Sequence, residues 1–212
     1  MQMRPLRNPL DKKERPSLFG VMSKGTQTRD RILAEGLGRA ARSGLGSVTV
    51  GTTASALDMS KSGLFAHFGS KDALQLAIVE RAVDRFEHKV VRPGLAAGKG
   101  LTRLRALVEG YIAWIDGDEE LPSCPFSSMV QEFQAQDGPV RDALVEAQTA
   151  WRVVLATAVA EARNAGELPD GPDPDQIAFE LIGAVQSYQV ATKLLRDPRA
   201  ATHLRQAIDR IL

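Results

Sequence analysis

The chain has 212 residues, of which 43% are hydrophobic, and it contains a single cysteine, Cys124. This length allows one long or two smaller packed domains, and a lone cysteine excludes an internal disulfide or a cysteine-based metal knuckle. Because no run of about 18 apolar residues occurs and the N-terminus lacks a signal-peptide pattern, we expect a cytoplasmic protein without membrane contact.

The formal net charge of +1 conceals a large difference between the two halves of the chain. Residues 1–92 carry 16 Lys and Arg against 9 Asp and Glu, whereas residues 93–212 carry 11 against 17. A basic surface attracts phosphates and an acidic surface repels them, so the first half is predicted to meet a polyanion such as nucleic acid. A chance segregation of solvated charges is the alternative explanation.

The chain is predicted to begin with a flexible tail and a first helix. Residues 1–25 contain three prolines and many charges but no apolar periodicity, which is typical of a flexible tail. Residues 26–42 show apolar side chains at helical spacing. Gly36 and Gly38 lie within this helix and weaken it by roughly 1 kcal/mol each relative to alanine, so they favour close packing against a neighbouring helix.

Two short helices joined by a tight turn are predicted next. Residues 50–57 place apolar side chains on one face after Thr49, and Ser60 can cap a second short helix that ends at Phe68. Asp58 stands in the turn between them, where aspartate tolerates the left-handed conformation better than most residues. The pattern predicts a helix-turn-helix.

A long helix and a wholly helical second half follow. Ser70 can cap a helix that runs to about Val91, and residues 93–100, which hold three glycines and a proline, are predicted to be a domain linker. No strand pattern is found, so the predicted fold class is all-α. The remaining helices are predicted at about residues 101–116, 125–135, 139–165, 174–196 and 199–211.

Residues 49–71, TVGTTASALDMSKSGLFAHFGSK, resemble the signature of TetR-family transcriptional regulators. In that family a helix of the "IAxxxGVS" kind leads into a recognition helix that ends in "LYxHF" and is followed by "xSK(E/D)xL". The matching parts here are residues 54–60, 64–68 and 70–74. With the first helix included, the resemblance covers about residues 26–86.

The resemblance implies both an architecture and a function. Residues 26–92 would form a three-helix DNA-binding domain, joined through the long helix 4 to a helical-bundle domain at 93–212 that binds a ligand and dimerises. The implied function is a repressor that binds a palindromic operator in double-stranded DNA as a homodimer and is released by a small-molecule effector. No cofactor is expected. The family's dimer helices correspond here to about residues 174–196 and 199–211.

The predicted DNA contacts follow from groove geometry and from the family pattern. Leu64 and Phe68 can anchor one face of the recognition helix, which leaves its N-terminal turn free to enter the major groove. There Lys61 can meet a phosphate or a guanine edge, Ser62 can bond a base or a phosphate, and Gly63 allows close approach. The predicted DNA-binding set is Thr49, Ser60, Lys61, Ser62, Gly63, Phe65, His67 and Lys71.

Several positions depart from the family pattern. Phe65 stands where tyrosine is common, and it lacks the hydroxyl that bonds phosphate, so it can equally be a packing residue. Asp58 replaces the usual turn glycine, Gly51 removes a polar side chain, and Ala40 lacks the aromatic group common in helix 1. His67 is as consistent with a structural role as with a phosphate contact.

The second half holds a set of aromatic and adaptable side chains that could line a ligand pocket. Tyr111, Trp114 and Tyr188 are favoured because each adds a polar group, although residues at helical spacing are often plain core. The candidate ligand-binding set is Tyr111, Trp114, Phe126, Met129, Phe133, Trp151 and Tyr188.

Three alternative hypotheses concern catalysis, protein interaction and a redox role for the cysteine. The three histidines are scattered, and no hydrolase, nucleotide-binding or metal motif occurs, so an enzyme is disfavoured and no metal is expected. Gly51, Asp58 and Phe65 leave open a helical protein-interaction module that has lost DNA binding. Cys124 has no basic neighbour in sequence to lower the pKa of its thiol, which favours an inert buried cysteine over a redox sensor.

Overall fold

A computed structural model describes residues 24–212, so the predicted tail falls almost wholly outside the described residues. Over that range the chain is helical and contains no strand, which confirms the all-α prediction. A short 3₁₀ turn, Leu45–Ser47, follows the first helix. The α-helices are α1 Lys24–Ser43, α2 Val50–Ala56, α3 Lys61–Phe68, α4 Lys71–Phe86, α5 Arg92–Ala96, α6 Gly100–Asp116, α7 Pro125–Phe133, α8 Pro139–Asn164, α9 Pro174–Gln189 and α10 Ala200–Ile211.

The first four helices form a small module in which α1 packs closely against α4. A Cβ built on Gly36 would lie 2.5 Å from Ile78 Cδ1, so the bare backbone of α1 accommodates that side chain. Gly38 is also buried, but its nearest neighbour is the Arg42 guanidinium of the same helix. Close packing therefore accounts for Gly36, where it offsets the low helix propensity of glycine.

The turn between α2 and α3 is built around a left-handed Asp58, as its position in the sequence predicts. Asp58 has a φ of 54°, and it follows Leu57, the C-cap residue of α2. The Met59 N–H donates to Ala54 O at 2.9 Å and the Asp58 N–H donates to Ser55 O at 3.4 Å. These two bonds satisfy carbonyls that the helix end leaves free and redirect the chain into α3.

The helical path continues beyond α4 into the segment that the sequence predicts to be a linker. A π-helical turn, Glu87–Val91, joins α4 to α5, and the Arg92 N–H donates to Glu87 O. A regular α-helix would place the Pro93 ring against a carbonyl of the preceding turn, and the wider π turn relieves that clash. The non-helical break between α5 and α6 is thus confined to residues 97–99.

The second half is a helical bundle in which α8 packs between α6 and α9, and α10 packs against α9. Its core includes Leu107, Leu155 and Leu181, each of which is fully buried. A second π-helical turn, Val190–Leu194, extends α9. Among the described residues no helix is long and apolar enough to cross a membrane.

Candidate DNA interface and ligand cavity

The short helix α3 is anchored by its apolar face and exposes its first turn. Leu64 is fully buried, and the Ser60 hydroxyl caps the helix by accepting from the Gly63 N–H at 3.0 Å. Lys61 and Ser62 are exposed, with the Ser62 hydroxyl 3.2 Å from that of Ser60. A helix held in this way can present a polar terminal turn to a macromolecular groove.

A shallow groove lies between α1, α2 and the start of α3, and it is lined by Arg39, Thr49, Thr52 and Lys61. Thr49 caps α2 through the Thr52 N–H, and Thr52 returns a bond to the Thr49 N–H, each at 3.0 Å. The Lys61 side chain lies along α2, since a Cβ built on Gly51 would be 3.6 Å from Lys61 Cε. Arg39 also lines this groove but was not among the predicted DNA contacts, because nothing in the sequence distinguishes it from the other basic residues of helix 1.

The remaining predicted DNA contacts lie in different environments. Phe65 is 51% exposed, so core packing does not account for it. His67 is half-buried, and its carbonyl accepts from Arg29 Nη1 at 3.1 Å. The Arg29 guanidinium also lies 4.4 Å above the Phe68 ring, which ties α1 to α3. Lys71 is exposed in the first turn of α4.

A cavity of about 640 Å³ lies between α6, α7, α8 and the continuous helical segment that α4, the π-helical turn and α5 form. Three residues of the predicted ligand set line it, namely Tyr111, Phe126 and Trp151. Phe86 lines the same end and contacts these rings edge-on, with its centroid 5.0 Å from that of Trp151 and 6.1 Å from those of the other two. The rings form an apolar end wall to the cavity.

Four other members of the predicted ligand set do not line this cavity. The Trp114 indole N–H donates to a buried thiol at 3.2 Å, and Met129 and Phe133 are buried in the core. Tyr188 is half-buried and packs against the core, and its hydroxyl donates to Asp116 Oδ1 at 2.9 Å. Helical spacing marks the apolar face of a helix but does not distinguish side chains that meet a neighbour from those that meet a void.

The other end of the cavity is charged. Arg103 Nη1 donates to both carboxylate oxygens of Glu161, at 2.9 and 2.7 Å, and both residues line the cavity. Arg92, which is exposed, and Glu87, which directly follows Phe86 in the chain, also line the cavity. The charged end was not predictable from the sequence, because its charged residues look like ordinary solvated positions of amphipathic helices.

Burial keeps the titratable groups at the aromatic end neutral. It raises the pKa of the Cys124 thiol, even though the Trp114 indole N–H bonds to the sulfur. It also raises the pKa of the Tyr111 hydroxyl, with a smaller contribution from Cys124. Since a raised pKa disfavours the thiolate, Cys124 is a buried and weakly nucleophilic group.

Helix α7 connects the cavity with the N-terminal module. Phe126, near its start, lines the cavity, while its other face contacts the end of α1 and the 3₁₀ turn. Three hydrogen bonds cross this contact: Ser123 Oγ to Ala41 O at 2.7 Å, Ser128 Oγ to Ala40 O at 3.3 Å, and the Gly46 N–H to Glu132 Oε2 at 2.5 Å.

The sequence matches two family models. Residues 32–78 match the model described as bacterial regulatory proteins, tetR family, and residues 100–208 match the model described as tetracyclin repressor-like, C-terminal domain. Together the matched segments cover most of the residues that form the interface and the cavity. No curated protein sequence matches the chain significantly.

Solved structures with the same fold cover nearly the whole chain. A TetR transcriptional regulator from Chloroflexus aurantiacus is 23% identical, with a TM-score of 0.77, over 90% of this chain and 94% of that one. A TetR-family regulator from Agrobacterium tumefaciens is 16% identical, with a TM-score of 0.78, over 88% and 98%. AibR, in a complex with isovaleryl coenzyme A and operator DNA, is 23% identical, with a TM-score of 0.68, over 86% and 97%.

Proposed function

The chain belongs to the TetR family of bacterial regulatory proteins, and we propose that it is a transcriptional repressor that a small-molecule effector releases from its operator. The observation that carries this proposal is the geometry of α3. Its buried Leu64 holds the helix in the module, while Lys61 and Ser62 stand exposed at the terminal turn. An α-helix presented in this way fits the major groove of B-DNA.

The operator is proposed to be palindromic and to be bound by a homodimer. One recognition helix contacts few base pairs, and a two-fold axis would place two of them on successive half-sites. Exposed apolar side chains on α9 and its π-helical extension support a dimer face there, and α10 packs beside them. These side chains are Phe179 at 64% exposure, Val190 at 52%, Leu194 at 75% and Leu195 at 68%.

The effector is proposed to occupy the cavity beside Tyr111 and Trp151. A volume of about 640 Å³ lies within the range of about 300 to 1,000 Å³ that small-molecule sites span. The structural relative AibR is described in complex with both a coenzyme A thioester and operator DNA, which supports a ligand-responsive role. The contacts of α7 with α1 offer a path by which ligand binding could favour a different spacing of the recognition helices.

The proposal is tested by selecting bound duplexes from a random DNA pool and titrating the recovered site by fluorescence anisotropy. We expect a palindromic site, binding that weakens as salt rises, and weaker binding to a scrambled duplex. A chain that has become a helical protein-interaction module would bind neither duplex at any salt concentration. That result would overturn the DNA-binding function.

A further inference from the structure

The cavity is elongated and has two chemically different ends. Along α6, Arg103 precedes Tyr111 by eight residues, which corresponds to about 12 Å of helix. Along α8, Glu161 follows Trp151 by ten residues, or about 15 Å. Because Arg103 bonds to Glu161 and the Tyr111 and Trp151 rings lie 5.3 Å apart, the charged and aromatic ends are separated by this length.

The cavity is lined by one arginine whose charge is not matched within the described chain. Arg103 is neutralised by its bonds to Glu161. Arg92 also lines the cavity, and its guanidinium forms no ion pair or hydrogen bond with another residue of 24–212. Glu87 is the nearby group that would favour a cation instead, but it already takes part in an interaction of its own. Arg92 is therefore a solvent-exposed cation of the cavity lining that is available to pair with an anionic ligand.

The aromatic end is unsuited to a charged group. Phe86, Trp151 and Tyr111 surround it, and burial favours the neutral forms of Tyr111 and Cys124 there. An ion placed against these rings would lose its hydration and could gain only a neutral donor, the buried Trp151 indole N–H that has no partner within residues 24–212, which does not offset the cost. A charged ligand group is therefore expected away from these rings, beside the planar donor fork that Arg92 presents to carboxylates.

We propose that the effector is an amphipathic organic acid. Its carboxylate pairs with Arg92, and its apolar body extends along the cavity to Phe86, Tyr111 and Trp151. This inference rests on the effector role proposed above for the cavity. It adds the charge, the polarity and the orientation of the ligand.

The test compares three probes with the same alkyl chain, namely decanoic acid, decanamide and decylamine, by calorimetric titration of the full chain below their micelle concentrations. We expect decanoic acid to bind about tenfold more tightly than decanamide, as a charge-assisted bond to Arg92 predicts, and decylamine to bind no better than the amide. Arg92→Gln should lower the affinity for the acid to that for the amide and leave the amide unchanged.

Arg105→Gln is the matched control, because Arg105 is exposed on α6 and does not line the cavity. It should bind all three probes like the unaltered chain. Circular dichroism and thermal unfolding check that both variants are folded.

Each contrary result overturns the inference. These results are equal affinities for the acid and the amide, tightest binding of decylamine, the same response of the two variants, or no binding of any probe. Operator binding, measured without any probe, reports separately on the proposed DNA-binding function. If the probe affinities contradict the expected order while operator binding is intact, only the proposed ligand class is overturned. If operator binding fails, the regulatory function falls as well.

Discussion

Lys71 lies exposed in the first turn of α4, where backbone N–H groups also point outward. A lysine at such a helix start most directly contacts phosphate. Lys71→Ala should therefore weaken binding to the operator and to scrambled DNA alike, and flatten the salt dependence by about one unit of slope per subunit. Anisotropy titrations at two salt concentrations measure both effects. A loss confined to the operator would contradict this role.

Lys61 starts the recognition helix, but its side chain lies back along α2, beside the groove that Arg39 and Thr49 also line. This position favours a phosphate contact over a base contact. Lys61→Ala should thus behave like Lys71→Ala in the same titrations. A loss of about 1 to 3 kcal/mol for the operator, with relaxed sequence preference, would show instead that Lys61 reads a base. If neither lysine affects any DNA, the recognition helix is misassigned.

Cys124 should be chemically inert in the folded protein, because burial raises the pKa of its thiol. Iodoacetamide at about pH 8, near the ordinary thiol pKa, should label it only after denaturant is added, as read by mass spectrometry. The folded thiol holds its proton more tightly than the unfolded one. Its contribution to stability is therefore present below the ordinary thiol pKa of 9.0 and is lost as the pH rises above that value. Rapid labelling of the native chain would reveal an open site.

At the level of helices, the contact of α5 with α6 depends on the absence of a side chain at Gly94. A Cβ built there would collide with the buried Leu107, including its backbone Cα at 3.2 Å. Gly94→Ala should lower the free energy of unfolding by about 1 to 3 kcal/mol through overpacking. Thermal and urea unfolding measure this loss.

Gly51→Ala is the control for Gly94→Ala, since it makes the same replacement within helix α2. The added Cβ would meet Lys61 Cε at an ordinary 3.6 Å, so helix propensity should raise stability by up to about 1 kcal/mol. If both variants gain stability, α5 and α6 do not pack as closely as described.

The whole molecule is expected to be a homodimer held through α9 and its extension. The double variant Phe179→Arg with Leu194→Arg should sediment as a monomer at micromolar concentration and lose tight operator binding, because it places charges on the exposed apolar face. Phe65→Arg changes another exposed phenylalanine, on the recognition helix, and should leave the dimer intact. Deletion of residues 174–212 should abolish both dimerisation and tight binding. A dimer that survives the double substitution or the deletion would place the interface elsewhere.

Features that depend on near neighbours along the chain can be predicted from the amino-acid sequence. The N-caps Thr49, Ser60 and Ser70 each accept a bond from a backbone N–H three residues ahead, so their positions are readable from local pattern. The left-handed turn at Asp58 is equally local. The all-α class and the helix-turn-helix follow from such signals, and the distinctive spacing of residues 49–71 indicates the family.

Features that depend on which distant helices meet become visible only once the helices are packed together. Pro93 and Gly94 read as a linker, yet the π turn accommodates the proline and Leu107 packs against the glycine, so the helix continues. Trp114 and Trp151 have similar patterns along the chain, but only Trp151 faces the cavity. Likewise, the charges of Arg103 and Glu161 cancel because two helices bring together residues 58 positions apart. Periodicity defines the faces of one helix, whereas a cavity and its charge balance arise from several helices at once.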